Sequence, residues 1–354
     1  MLIGKIRSFF NMTQNEDRLS LMVKPITKMP PPETVLIEPS YICNQKCLMC
    51  ERHYKDITYT GTGFLEMRLF EKVLPILNKN TTVNLSGYGE AFLHPDYLYM
   101  LRQVSECGVR KIEAYSNCST LKAKIAEGLV RYGMTNLTLS IHAATNETNM
   151  RIVNRNLDKV LDNLKTLQDI KKREGKDKPE IIMQIVLMKE NIDELPAYVE
   201  IAGRLGVRYI AGVHMVVQDK SMIEQNILMH PERTKKAYDA AREIAKKMSI
   251  TLNVPPLYEQ ADHKQEDKKE CEIGGIFNYM NVRYNGKVEA CDWMHEIGDL
   301  NESDIFDIWN GKVAQAKRQQ IYEKGIASLC PGCPRWKKST ESFIRSEKFN
   351  EKSD

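Results

Sequence analysis

No stretch of this sequence approaches the roughly 20 consecutive apolar residues that span a bilayer. Its first residues also lack the apolar core of a secretory signal, because Lys5 and Arg7 interrupt it. Charge of one sign is scarce: 51 basic residues stand against 47 acidic ones, a net +4 over 354 residues. That balance leaves no electrostatic footprint for a phosphate backbone, and no nucleic-acid partner is expected. Nine cysteines in a chain of this length are too few for a secreted disulfide framework. They are bunched: Cys43, Cys47 and Cys50 come early, Cys271, Cys291, Cys330 and Cys333 come late, and only Cys107 and Cys118 stand outside these groups. A reducing cytoplasm is the expected setting, and an oxygen-poor one if the clustered cysteines hold iron–sulfur clusters. What the chain does have is 42% apolar residues, enough for a core domain of roughly 200 residues and a smaller companion.

The early cysteines lie in Ser40-Tyr41-Ile42-Cys43-Asn44-Gln45-Lys46-Cys47-Leu48-Met49-Cys50, a CxxxCxxC spacing directly after the apolar run Val35-Leu36-Ile37. Thiolates are soft ligands that suit iron–sulfur clusters and zinc. Structural zinc wants a fourth ligand, and only His53 lies near, three residues on and badly placed. A zinc knuckle or simple buried thiols are the plain alternatives. A four-iron cluster held by three cysteines leaves one iron open to a small molecule. The motif resembles that of the radical S-adenosylmethionine (radical SAM) superfamily at all three cysteines. The resemblance implies a 4Fe-4S cluster whose open iron takes S-adenosyl-L-methionine. It implies reductive cleavage to a 5′-deoxyadenosyl radical that abstracts a substrate hydrogen, with the electron coming from a reductant such as flavodoxin or ferredoxin. Many members carry an aromatic residue before the last cysteine; here Met49 stands there, and its polarizable thioether suits an adenine face.

From residue 34 to about 254, short apolar runs alternate with amphipathic stretches. Strands are expected near 34–38, 81–86, 111–115, 136–141, 181–187 and 208–214. Helices are expected near 65–78, 96–107, 120–132, 156–173, 193–205 and 232–248. Such alternation implies an α/β protein whose parallel sheet is covered by helices. Periodicity does not choose between an open sheet and a barrel; the family resemblance implies a partial (β/α)6 TIM-like barrel. The chain then divides into 1–33 (an amphipathic helix and linker), 34–264 (the radical SAM core), 265–336 (a small iron–sulfur domain) and 337–354 (a charged tail). The first helix, with Leu2, Ile3, Ile6, Phe9 and Phe10 on one face, either packs on the domain or touches a membrane surface.

Chemistry in parallel βα architectures sits at the carboxyl ends of the strands. After the second strand comes Gly87-Tyr88-Gly89-Glu90. Taken alone it is a turn whose glycines let backbone approach a ligand and whose carboxylate can hold an ammonium group. It is similar to the family's glycine-rich motif, which binds the methionine amino group, although Ala91 stands where proline is common. By the same resemblance Ser140 is expected to contact the ribose or carboxylate of the cofactor, Arg151 to hold its carboxylate, and Ser116-Asn117 to close the cofactor site. Thr138, Ser140 and His142 alternate onto one face. His142, Gln184 and His214 are taken to point from strand ends into one cavity as substrate contacts.

After the charged stretch 264–269, fourteen residues separate Cys271 from Gly286, and four more separate Gly286 from Cys291. Phe277 to Tyr284, Asn285-Gly286 and Lys287 to Cys291 read as a hairpin with a type I′ turn. Cys330-Pro331-Gly332-Cys333 follows. Four cysteines in two pairs suffice for one zinc. Beside a radical SAM motif, the spacing resembles the SPASM/twitch extension, in which these four cysteines hold an auxiliary 4Fe-4S cluster. A full SPASM domain carries more cysteines and two clusters, so the twitch form with one is implied. An oxidoreductase or maturase acting on a sugar-like small molecule or a peptide is the expected function. The alternatives are a radical RNA-modifying enzyme and a non-catalytic zinc- or cluster-binding scaffold. With 33 residues before the first strand, no peptide-recognition domain is expected ahead of the core.

Overall fold

The computed structural model describes residues 28–53, 61–257, 275–291, 295–325 and 328–330. The N-terminal helical face, the charged linker, Cys271, Cys333 and the C-terminal tail lie outside them.

The expected alternation folds as β1 (Thr34–Ile37), α1 (Met67–Val73), β2 (Thr82–Asn84), α2 (Tyr97–Glu106), β3 (Lys111–Ser116), α3 (Ala123–Arg131), β4 (Asn136–Ser140), α4 (Asn146–Val153), α5 (Leu157–Arg173), β5 (Glu180–Leu187), α6 (Leu195–Arg204), β6 (Tyr209–His214), α7 (Pro231–Lys247) and β7 (Thr251–Asn253). Helix α5 shows the local logic. Asn156 caps it by accepting from the Lys159 amide, and Leu157, Val160, Leu164, Leu167 and Ile170 bury one face. Lys171, Lys172 and Arg173 end it, where cations oppose the carbonyl end of the dipole. In β5, Ile181, Met183, Ile185 and Leu187 are buried while Glu180, Ile182, Gln184 and Val186 are half-buried on the other face. The first set joins the helix faces in one continuous apolar core.

Two expectations are trimmed by backbone chemistry. The helix foreseen over 65–78 stops at Val73 and gives way to a 3₁₀ turn, Leu74–Ile76, at Pro75. Proline lacks the amide that would continue the α-helical ladder. The strand foreseen over 81–86 ends at Asn84, whose side chain accepts from the Ser86 hydroxyl. Helix α4 was not foreseen.

Strands β1 to β7 pair side by side in chain order, all parallel. The sheet does not end at β1. Strand β8 (Tyr279–Val282) lies parallel to β1, with Thr34 opposite Tyr279 and Ile37 opposite Val282. Strands β9 (Lys287–Glu289) and β10 (Glu296–Asp299) continue it antiparallel, giving ten strands in one open sheet among the described residues. Helices α8 (Ile305–Trp309) and α9 (Lys312–Lys324) follow. The β8–β9 connection differs from the type I′ turn expected. The Gly286 amide bonds the Arg283 carbonyl and the Arg283 amide bonds the Lys287 carbonyl. Of Asn285 and Gly286, only Gly286 has positive φ, at 88°. This is a type I turn closed by a left-handed glycine, the longer hairpin solution.

Candidate active site

The segment from Glu38 to His53 leaves the carboxyl end of β1 and crosses the ends of neighbouring strands. Ser40 bridges Phe64, and the Tyr41 amide bonds the Gly63 carbonyl at 2.8 Å. From the loop after β2, Gly89 N bonds Ser40 O at 3.1 Å and Glu90 N bonds Ile42 O at 2.8 Å. On the other side Leu48 N bonds Ile152 O of α4 at 2.8 Å, and the Arg155 guanidinium donates to the Asn44 carbonyl. The glycines are needed for this weave. A Cβ on Gly89 would sit 2.4 Å from the carbonyl oxygens of Ser40 and Ile42, and one on Gly87 would meet Glu38 Cγ at 2.2 Å. They admit the cysteine loop and Glu38.

Cys43, Cys47 and Cys50 are half-buried and unbridged. Cys50 N bonds Cys47 O at 3.0 Å, closing a turn between them. Asn117 Nδ2 donates to Cys43 Sγ at 3.9 Å, and Cys47 Sγ donates to Gln45 Oε1 at 3.5 Å. Burial raises all three thiol pKa values; for Cys47, burial and then the charges of Cys50 and Cys43 push it up to about 12. Three thiolates here are therefore favoured only with a compensating cation, which a bound metal centre supplies. The donor set fits an iron–sulfur cluster.

Glu90 is buried, and its carboxylate is turned to the end of β3. Oε1 accepts from Ser116 Oγ at 2.8 Å and from Phe92 N at 3.3 Å, and Oε2 from Asn117 N at 2.7 Å. Burial nevertheless raises its pKa above the usual carboxylate value. Asn117 extends the network, with Nδ2 donating to Asn44 Oδ1 at 2.9 Å. The structure thus joins Gly89, Glu90, Ser116, Asn117 and Cys43 into one connected unit. In it Glu90 clasps the loop after β2 to the end of β3.

Met49 lies beside a second apolar cluster formed by Ile152, Val153, Met188, Met215, Val217 and Met222, against which Cys47 and Leu48 also pack. Ser140 and Gln184 are cross-strand partners on one face. Arg151 is already paired: its guanidinium meets Glu190, lies 2.6 Å from Glu147 and donates to Thr148 Oγ1 at 3.0 Å. The three expected substrate contacts separate. Gln184 pairs with Ala211 while His214 pairs with Leu187, a core residue, so strict alternation puts Gln184 and His214 on opposite faces. His214 Nε2 bonds the Pro256 carbonyl at 3.1 Å. His142 is buried between β4 and β5, with Nδ1 accepting from Val186 N at 3.2 Å, and burial lowers its pKa to about 4. Gln184 and His214 therefore do not share a face, which corrects the common cavity for His214, while His142 sits against the β5 backbone.

Sequence reasoning missed the junction between the cysteine loop and the C-terminal hairpin. Glu38, fully buried, accepts from Tyr88 N at 2.7 Å and Tyr284 N at 3.2 Å, and pairs with Arg283 at 3.3 Å. Arg283 also lies over the Tyr88 ring at 4.3 Å, and Tyr41 stacks on Tyr284 at 5.0 Å. Burial outweighs the Arg283 charge and raises the Glu38 pKa. The only sequence signal was a carboxylate directly after an apolar strand. Of the C-terminal cysteines, Cys291 is buried just beyond β9, and Cys330 lies with its sulfur 3.3 Å from His295 Nε2. Burial and then the Lys317 charge lower the His295 pKa.

Comparison with known proteins matches two stretches of the chain. The model of the Radical SAM superfamily matches residues 37–202, and that of SPASM, an iron–sulfur cluster-binding domain, matches residues 271–334. Over 301 residues the chain is 22% identical to the tungsten-containing aldehyde ferredoxin oxidoreductase cofactor-modifying protein of Pyrococcus furiosus, covering 76% of this chain and 78% of that one. It is 24% identical over 318 residues to PqqA peptide cyclase of Methylorubrum extorquens, covering 82% and 75%. Among solved structures, SuiB of Streptococcus suis bound to the precursor peptide SuiA superposes with a TM-score of 0.63 at 16% identity, covering 86% of this chain and 70% of that one. The structure of anSMEcpe with bound AdoMet gives a TM-score of 0.60 at 13% identity, covering 89% and 95%. These superpositions show a shared fold: a mostly parallel, unclosed α/β sheet with its C-terminal extension.

Proposed function

The chain is a radical SAM superfamily protein with a C-terminal SPASM iron–sulfur domain, and we propose that it cleaves S-adenosylmethionine at a cluster on Cys43, Cys47 and Cys50 to start a radical modification of a peptide. The observation that carries this reading is the cysteine loop itself, laid across the carboxyl ends of the parallel strands and bonded to Gly89, Glu90 and α4. When bound, a cluster on this loop, S-adenosylmethionine and an auxiliary cluster would supply one-electron chemistry: cofactor cleavage, hydrogen abstraction from the substrate, and acceptance of an electron. The chain's own residues hold and shield this chemistry. Asn117 donates to the Cys43 sulfur and fixes Asn44. Met49 and the methionine-rich cluster beside it form an apolar wall that keeps water from a reactive site. Ser140 and Gln184 offer polar atoms on one face of the sheet. Cys271, Cys291, Cys330 and Cys333 would hold one auxiliary cluster. A peptide is favoured over a sugar-like substrate because two relatives, PqqA peptide cyclase and SuiB with SuiA, are named with peptides.

Anaerobic reconstitution is expected to load about eight irons per chain, as two four-iron clusters. Replacing Cys43, Cys47 and Cys50 together by alanine should remove about four of them and stop 5′-deoxyadenosine formation. Undiminished cleavage in that triple variant would overturn the proposal.

A further inference from the structure

Cys291 lies two residues beyond the end of β9, and His295 directly precedes β10. The Ala290 amide bonds the His295 carbonyl at 3.0 Å, one step beyond the Glu289–Glu296 rung of the ladder. That bond fixes the His295 backbone relative to Cys291. Cys330 is brought to the same place by a separate element. Ser328 is held to α9 by the Gln320 side chain at 2.8 Å and to the helix end by its own hydroxyl on Gly325 O at 2.6 Å. The two arrive with His295 Nε2 3.3 Å from Cys330 Sγ.

We infer that His295 donates a hydrogen bond from Nε2 to the Cys330 sulfur and thereby raises the reduction potential of the auxiliary cluster. The inference rests on the reading that Cys330 ligates that cluster. Three points of chemistry support it. A neutral imidazole carries one N–H, and a cluster thiolate has only acceptor capacity, so the pair is complementary when Nε2 holds the proton. Four cysteines already match the four irons, which leaves none for an imidazole ligand. Reduction adds negative charge to the cluster and its sulfurs, and an N–H aimed at a ligand sulfur stabilises the reduced form more than the oxidised one. His295 is thus a positioning and tuning residue: it touches a ligand, not the substrate.

The test uses the full-length chain with Cys43, Cys47 and Cys50 replaced by alanine, so that the auxiliary cluster alone is observed. Its midpoint potential is read by electron paramagnetic resonance during an anaerobic redox titration. His295→Leu, which keeps bulk but offers no donor, should retain about four irons. It should also disfavour reduction about tenfold, a downward shift of about 59 mV for one electron. His295→Gln, which keeps an N–H donor, should recover at least half of that shift. An unchanged potential in the leucine variant with full iron content overturns the tuning role while leaving the auxiliary cluster intact. Loss of iron in the leucine variant also overturns it, by making His295 a ligand or a folding element. Absence of any cluster in the cysteine-triple parent removes the auxiliary-cluster reading itself and the inference with it.

Discussion

Asn117 touches both halves of the site at once. Its backbone amide donates to Glu90 at 2.7 Å and its side chain to Cys43 and Asn44 at 3.9 and 2.9 Å. A disturbance at Glu90 should therefore reach the cluster loop. Glu90→Gln turns one acceptor oxygen into a donor that faces an N–H or a hydroxyl, and hydrogen bonds to a charged group are worth about 1.5–3 kcal/mol. The expected result is at least a tenfold loss of S-adenosylmethionine affinity by calorimetry at equal iron content. Wild-type affinity would leave Glu90 as a clasp alone. His142 gives a second residue-level test, through pH. Its folded-state pKa of about 4 lies below the ordinary 6.5, so between these values the unfolded chain binds the extra proton. The stabilisation is complete above pH 6.5 and is lost as pH falls toward 4. At pH 5 wild type should have lost about 2 kcal/mol relative to His142→Asn, measured by denaturant unfolding at pH 7.5 and 5. Parallel pH profiles would contradict the burial. The cysteines, glycines and Glu90 could be read from their spacing after apolar runs. The partners of Glu90 could not, because Ser116 and Asn117 lie 26 and 27 residues away and meet it only when β2 and β3 pair.

Among the elements, the β8–β9 hairpin is the one whose place the sequence hid. Its turn was legible from Asn285-Gly286, but its docking on β1 depends on a pairing that no local pattern encodes. Helix α4 was missed for a different reason: its opening residues Asn146, Glu147, Thr148 and Asn149 are polar, and it is defined by Thr145 capping the Thr148 amide and by left-handed Asn154 at its end. The strands and the long helices were legible because their apolar periods coincide with burial. The hairpin's hold on β1 is tested at Arg283, whose side chain is 12% exposed against a fully buried Glu38. Arg283→Leu strands a buried carboxylate and should destabilise the fold by about 3–5 kcal/mol. Combined with Glu38→Gln, the loss should be clearly smaller than the sum of the two single losses, as expected of contacting partners. Strict additivity in chemical unfolding would show that the pair is not coupled.

For the whole molecule, the separation of Cys43–Cys50 from Cys330–Cys333 predicts separable activities. A Cys330→Ala/Cys333→Ala double variant supplied with a chemical reductant should still form 5′-deoxyadenosine but no oxidised product. Normal product from a folded variant lacking four irons would refute an electron-accepting role for that cluster. The same separation along the chain governs how the protein is made. Glu33 and Asn278, bonded at 2.9 Å beside the β1–β8 pairing, are 245 residues apart. At a ribosomal rate of about 5–20 residues per second, β1 emerges roughly 12–50 seconds before the strand that covers its edge. Through that interval the row of backbone donors and acceptors along β1 is an open template for another chain. The last strands to be synthesised thus close the first, and a nascent chain stalled before residue 279 should be captured by chaperones far more readily than one released complete.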